Sequence, residues 1–220
     1  MPGCLPKIIL KTPPSLTFSK LGCTKGGRQL FKDVDFELSA GQWLYVSGAN
    51  GVGKTSLLRM VCGLATVDFG QILWNNTPIH SQPEIYRQDL CYLGHLNALQ
   101  ESMTVDENLR FTSALGGLAP TASQRKDVLS RFGLHGRSQQ LVRHLSQGQK
   151  RRVALSRLAL SPARLWILDE PYVAMDEAGV QMLADLIAAH VTKGGLAVLT
   201  SHQRVSIGDI PAQVLELKAA

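Results

Sequence analysis

The eight residues from Gly48 to Thr55 constrain the fold more than any other part of this chain of 220 residues. Their sequence, G-A-N-G-V-G-K-T, fits the pattern G-x-x-x-x-G-K-[ST]. A β-like run, Trp43–Ser47, comes directly before it, and apolar residues at helical spacing follow from Lys54 to Cys62. The pattern therefore predicts a strand, a tight glycine-rich turn and a helix in immediate succession.

The residue types of this turn suit a chain of phosphate groups. Glycines allow backbone N–H groups to approach an anion closely, and the start of the following helix also favours negative charge. Lys54 is expected to reach the β- and γ-phosphates of ATP, and Thr55 to ligate Mg²⁺. The residues predicted to hold the nucleotide are Gly48, Ala49, Asn50, Gly51, Val52, Gly53, Lys54, Thr55 and Ser56.

An acidic pair follows a second apolar run, Leu165–Leu168. At the end of that strand Asp169 is predicted to hold Mg²⁺, and Glu170 to orient and polarise the water that attacks the γ-phosphate. His202, after the run Leu196–Thr200, is predicted to contact the γ-phosphate. Alone, an Asp-Glu-Pro sequence fits a surface turn, and a single histidine is more often structural. The phosphate loop favours the catalytic interpretation of both.

Strands that alternate with helices predict an α/β fold with a largely parallel sheet. The chain is expected to be one domain over residues 1–220, in which 1–14 form a loose lead rich in proline. A mostly helical stretch from Thr104 to Leu160 is expected to belong to an insertion over about residues 96–162. Four cysteines without a C-x-x-C pair indicate reduced thiols, and a net charge of +6 fits a solvated surface.

The segment Leu145–Gln149, L-S-Q-G-Q, allows two interpretations. Ser146 and Gln149 fit a capping box, which simply starts a helix. The alternative is a second phosphate site, in which Gly148 permits close approach to helix N-terminal donors. With the phosphate loop before it and an apolar D-E-P strand after it, this L-S-x-G-Q segment makes the chain resemble the nucleotide-binding subunits of ABC transporters over nearly its whole length.

The resemblance implies a P-loop NTPase with a RecA-like parallel-sheet core, an N-terminal β subdomain and an inserted α-helical subdomain. It implies that Ser146, Gly148 and Gln149 of one protomer close over ATP held by a second copy of the chain. It also assigns Asp176 to a loop at the nucleotide and His202 to a switch role. The resemblance implies catalytic roles for Lys54, His95, Glu170 and His202, and metal binding by Thr55 and Asp169.

Two positions depart from the family pattern. His95 stands where members usually carry a glutamine, between the core and the helical insertion. The stretch Cys23–Arg28 lacks the aromatic residue that usually stacks on adenine, and Arg28 is the candidate replacement through its flat guanidinium.

Further segments narrow the resemblance to the haem-exporter ATPases of cytochrome c maturation. They are Cys23–Phe31, Gly70–Trp74, Tyr92–His95, Glu107–Phe111 and Arg151–Leu155. That family implies integral membrane partners of the CcmB and CcmC type and a peripheral place on the cytoplasmic face of the bacterial inner membrane. No C-x-x-C-H motif is present, so direct haem binding is not expected.

Two other functions stay open from the sequence. One is the ATPase of another small-molecule ABC transporter, which the co-purifying membrane subunit would distinguish. The other is an ABC protein acting on nucleic acid or ribosomes. Direct nucleic acid binding is not expected, because neither tandem cassettes nor a long coiled-coil insertion is present.

Overall fold

The computed structural model describes residues 13–201 and 205–219. In chain order the strands are β1 (Ser15–Lys25), β2 (Arg28–Ser39), β3 (Trp43–Ser47), β4 (Phe69–Trp74), β5 (Thr77–Pro78), β6 (Leu90–Leu93), β7 (Leu165–Leu168), β8 (Leu196–Thr200) and β9 (Gln213–Glu216). The helices are α1 (Lys54–Val61), α2 (Pro83–Gln88), α3 (Val105–Leu115), α4 (Ala122–Arg131), α5 (Gln147–Ser156) and α6 (Glu177–Thr192).

One of the two sheets is antiparallel, with strand order β2-β1-β4-β5. Its long hairpin pairs Ser15 with Ser39 at one end and Lys25 with Arg28 at the other, across a two-residue turn. Alternate residues of β1, including Leu16 and Phe18, face a buried cluster shared with the core. The hairpin thereby brings its turn beside the phosphate loop.

A parallel sheet with strand order β6-β7-β8-β3-β9 forms the centre of the molecule. Every residue of β7 and β8 is buried, as expected for strands covered on both faces. Helix α1 packs its apolar face, including Leu57 and Val61, on one side of this sheet, and α6 packs Leu183 and Ile187 on the other. Because the strands are parallel, the residues after β3, β7 and β8 all lie at one edge.

The stretch between β6 and β7 is mainly helical. Helices α3, α4 and α5 each begin at a capping box, with Thr104, Thr121 and Ser146 as the caps. Short 3-10 turns over Val142–His144 and Arg157–Leu160 complete the stretch. No helix in the described ranges is long and apolar enough to cross a membrane.

The predicted parallel sheet is present, with β3, β7 and β8 at their predicted bounds. Three elements were missed: β5, α2 and β9. The first two are too short to show periodicity, and β9 holds only two apolar residues, which are adjacent in the sequence. The predicted loose lead lies mostly outside the described residues.

Candidate nucleotide site

The predicted phosphate loop connects β3 directly to α1 at the carboxyl edge of the parallel sheet. Gly48 has a φ of +140°, and a Cβ built there would lie 2.6 Å from the carbonyl oxygen of Leu217. Side chains rarely adopt that backbone, and the carbonyl leaves no room for one. Position 48 therefore requires glycine because β9 packs directly behind the loop.

Lys54 lies over this loop. Its ammonium nitrogen donates hydrogen bonds to the carbonyl oxygens of Gly48, at 2.8 Å, and Ala49, at 3.3 Å. The positive charge is thereby held above the arc of backbone that the sequence predicts to cradle phosphates. A phosphate in this arc would meet both the loop N–H groups and the lysine.

Asp169 follows β7 and lies opposite Thr55. One carboxylate oxygen accepts a 2.8 Å hydrogen bond from the Thr200 hydroxyl and lies 3.4 Å from the Thr55 hydroxyl. Asp169 is 2% exposed. A carboxylate and a hydroxyl are the hard oxygen donors that Mg²⁺ prefers. Within residues 13–201 and 205–219 no cluster of three or more His, Cys, Asp or Glu could hold a metal ion.

Glu170 has an unusual backbone. Its φ is +50°, in the left-handed region that non-glycine residues seldom occupy. Its N–H donates to the Thr200 hydroxyl at 3.0 Å, and its carbonyl accepts from Arg151 at 2.7 Å and from Val173 N–H at 3.4 Å. Strained backbone of this kind persists where the surroundings determine it, and it is frequent at functional sites.

An open cleft of about 430 Å³ brings the predicted groups together. The P-loop forms one wall, and His95 and Glu170 reach it from the ends of β6 and β7. The lining residues are Lys25, Leu30, Asn50, Gly51, Gly53, Lys54, Thr55, Ser56, His95 and Glu170. The structure thus collects eight of the predicted nucleotide and catalytic residues around one space, six of them from residues 48–56 together with His95 and Glu170.

The hairpin turn supplies a residue that sequence reasoning missed. Lys25 lines this cleft, whereas Arg28 lines a neighbouring cleft of about 400 Å³ between the P-loop and Glu216–Ala219. Lys25 was within the stretch matched to the adenine-stacking position. The sequence instead predicts Arg28 at the adenine, because no aromatic residue is present there and a guanidinium is planar whereas an ammonium group is not.

Arg151 was also missed. It is 3% exposed, and all five of its N–H groups have acceptors. Those acceptors are Pro171 O at 3.1 Å, Gly94 O at 3.2 Å, Asn97 Oδ1 at 3.1 Å, Asp169 O at 3.3 Å and Glu170 O at 2.7 Å. Burial lowers the pKa of Arg151, and the nearby charge of Asp169 opposes that shift. The sequence K-R-R showed only a basic run.

The L-S-Q-G-Q segment begins α5 away from the P-loop cleft. The predicted capping box is present, with Gln149 N–H donating to Ser146 Oγ at 3.2 Å and Ser146 N–H to Gln149 Oε1 at 3.0 Å. Ser146 is exposed. A Cβ on Gly148 would lie 2.9 Å from the carbonyl oxygen of Ala174. The lining of the P-loop cleft includes none of these three residues.

Asp176 caps α6. Its carboxylate accepts from Gly179 N–H at 3.1 Å and from Arg152 Nη2 at 2.5 Å, and the Arg152 hydrogen bond lowers its pKa. It does not line the P-loop cleft in this chain. His202 lies outside the described residues, so its predicted role stays a prediction.

Known proteins agree with this architecture. The ABC transporter family model matches residues 31–173. A putative ABC transporter ATP-binding protein from Pyrococcus furiosus has a similar structure, with a TM-score of 0.80 over 92% of this chain and 97% of that one, at 23% identity. The chain belongs to the ABC transporter family, as an ATP-binding and ATP-hydrolysing subunit. The predicted ABC ATPase fold is thereby confirmed.

Closer relatives identify the branch of that family. The cytochrome c biogenesis ATP-binding export protein CcmA of Albidiferax ferrireducens is 75% identical over 210 residues, which cover 96% of this chain and 100% of that protein. The protein of the same name from Dechloromonas aromatica is 47% identical over 192 residues, covering 87% and 94%. The chain is a CcmA-like ABC ATPase, as the resemblance predicted.

Proposed function

We propose that this chain is the ATPase subunit of a membrane complex that exports or delivers haem for the maturation of c-type cytochromes. The observation that carries the proposal is that the chemistry of the nucleotide cleft agrees with the function for which the relatives are named. A cleft that joins Lys54, Thr55 and Glu170 suits ATP hydrolysis. The relative at 75% identity over nearly the whole chain is named for ATP-binding export in cytochrome c biogenesis.

In this proposal ATP lies with its phosphates on the P-loop. Lys54 contacts the β- and γ-phosphates, and Glu170 accepts a hydrogen bond from the attacking water. Thr55 and Asp169 would hold Mg²⁺, which would offset the negative charge of the phosphates. His95 enters the same cleft, where an imidazole can donate to phosphate or accept from water, as a glutamine side chain can.

A second copy of the chain completes each site. The support is that Ser146 is exposed and, together with Gly148, lies away from the chain's own P-loop cleft. Helix N-terminal donors at that position suit the γ-phosphate of ATP held by a partner protomer. Asp176 and His202 belong to the same proposed interface, by the family resemblance.

The energy of hydrolysis would act on integral subunits of the CcmB and CcmC type. The chain would bind them peripherally at the cytoplasmic face of the bacterial inner membrane. This part of the proposal rests on the export function named for the relatives. No described helix of this chain can itself cross a membrane.

A deletion strain tests this assignment. Covalent haem staining of membrane proteins should disappear without the gene and return with the wild-type chain. Cytochromes that hold haem non-covalently should be unaffected. Complementation with Lys54→Ala or Glu170→Gln should fail, although both proteins accumulate. Unchanged covalent haem staining in the deletion strain would contradict the haem assignment and leave the ATPase assignment standing.

A further inference from the structure

Arg151 touches both loops that face the nucleotide cleft, the one after β6 and the one after β7. Its Nη1 group binds Gly94 and Asn97, which flank His95. Its Nε and Nη2 groups bind the carbonyl oxygens of Asp169, Glu170 and Pro171. One planar group therefore fixes the separation of the two loops that carry His95 and Glu170.

The partners of Arg151 differ from those of an ordinary buried arginine. Arg125, 8% exposed, forms a two-pronged ion pair with Asp106 within the helical stretch. Within the described part of the chain, the acceptors of Arg151 are four main-chain carbonyls and one amide oxygen. Its hydrogen bonds thus specify the path of two loops rather than neutralise a neighbouring side chain.

The backbone of Glu170 depends on this contact. Its left-handed conformation is held on the N–H side by Thr200 and on the carbonyl side by Arg151. Without the guanidinium, the carbonyl loses its charged donor, while the longer hydrogen bond from Val173 N–H, at 3.4 Å, remains. The strained residue would then relax more readily. Relaxation would move the carboxylate relative to the P-loop, because the direction of a side chain follows the φ and ψ of its own residue.

We infer that Arg151 is a positioning residue for ATP hydrolysis, which holds His95 and Glu170 at a fixed separation. The inference deepens the proposed function and rests on Glu170 being the base. Arg151 lies on α5, one turn after Gly148, so the same contact joins the helix of the L-S-Q-G-Q segment to the base of its own chain. Contact between that helix and a nucleotide bound to the partner protomer would then change the position of Glu170.

The full-length chain carrying Arg151→Met tests this role. We expect its kcat to fall by about 10²-fold, as for a reacting group misplaced by roughly 1 Å. The Kd for ATP, measured by equilibrium dialysis, should stay within about twofold of the wild type, because the P-loop is untouched. Arg151→Lys should give an intermediate kcat, since an ammonium has three donors for five acceptors.

A double-mutant cycle with Glu170→Gln separates positioning from general destabilisation. If Arg151 acts mainly through the base, Arg151→Met should lower single-turnover hydrolysis by less than about threefold in the Glu170→Gln background. Arg125→Met is the matched control, since it also removes a buried arginine. It should lower Tm while kcat and its dependence on Glu170 stay unchanged at a temperature where the protein is folded.

The outcomes distinguish the positioning role of Arg151 from the proposed function on which it rests. Full turnover by Glu170→Gln would contradict the proposed function. Loss in Glu170→Gln with wild-type kcat in Arg151→Met, or with fully additive losses, would overturn only the positioning role. If Arg151→Met does not fold, Asn97→Ala removes one acceptor beside His95. We expect its kcat to fall about threefold or more with an unchanged Kd, and a wild-type kcat would equally overturn the inference.

Discussion

Asp89 and Asp169 are both nearly fully buried, at opposite ends of the parallel sheet. Asp89 is 7% exposed and directly precedes β6, whereas Asp169 is 2% exposed and directly follows β7. The carboxylate of Asp89 accepts from Arg164 at 2.5 and 3.1 Å and from Trp74 Nε1 at 3.0 Å. The hydrogen bonds described for the Asp169 carboxylate come instead from the hydroxyls of Thr200 and Thr55.

The difference lies in how each negative charge is compensated. At the amino end a guanidinium neutralises Asp89, so the charge serves to join β6 to β7. At the carboxyl end the carboxylate of Asp169 is hydrogen-bonded by neutral groups, and Arg151 approaches it only through the main-chain carbonyl. A buried charge bonded in this way is costly by itself but attracts a cation strongly.

Asp169→Asn should destroy turnover and spare the fold. We expect ATP hydrolysis to fall by about 10²-fold or more, as when one preorganised electrostatic group is removed. The amide keeps an acceptor for Thr200 and removes a buried charge, so the thermal midpoint should stay the same or rise. Steady-state ATPase assays and thermal unfolding of one preparation measure both quantities. A large fall in midpoint with normal turnover would reverse the proposed roles of the two ends.

Asp89→Asn should do the opposite. The change removes the carboxylate charge from a largely buried ion pair with Arg164, which costs roughly 3 kcal/mol of unfolding free energy. Turnover at about 20 °C should be unchanged, because the nucleotide site lies at the other edge of the sheet. Urea unfolding monitored by fluorescence gives the stability. Adding Arg164→Met should recover part of the loss, and no recovery would show that the pair is not the cause.

The smallest effect concerns His190, which stacks on Trp166 with ring centroids 3.8 Å apart. Burial lowers the pKa of His190 below its ordinary value. The unfolded chain therefore takes up a proton at a higher pH than the folded one, and stability is complete above about pH 6.5 and declines as the pH falls below it. The thermal midpoint at pH 5.5 relative to pH 7.5 should fall less in His190→Phe than in the wild type. An equal fall in both would remove His190 from the acid sensitivity.

The local parts of the fold and site were predictable from the sequence. The P-loop, β7 with its acidic pair and the capping box of α5 each depend on a few adjacent residues with strong conformational or chemical preferences. Arg151 and Lys25 were not predictable in the same way. A basic run gives no sign that one guanidinium is buried against loops far away in the chain. The choice between Lys25 and Arg28 depends on how the β1–β2 turn meets the P-loop.

The position of β3 has a consequence for biosynthesis. This strand carries the P-loop, yet its two neighbours in the sheet, β8 and β9, are made about 150 residues later: Trp43 pairs with Ala197, and Ser47 with Glu216. A chain emerging from the ribosome therefore has its phosphate loop early but lacks the walls that shape it, including the Leu217 carbonyl behind Gly48. Contacts so distant in sequence slow folding. The nucleotide pocket consequently forms only after β8 and β9 have been made, and ATP binding selects for chains in which both strands are in place.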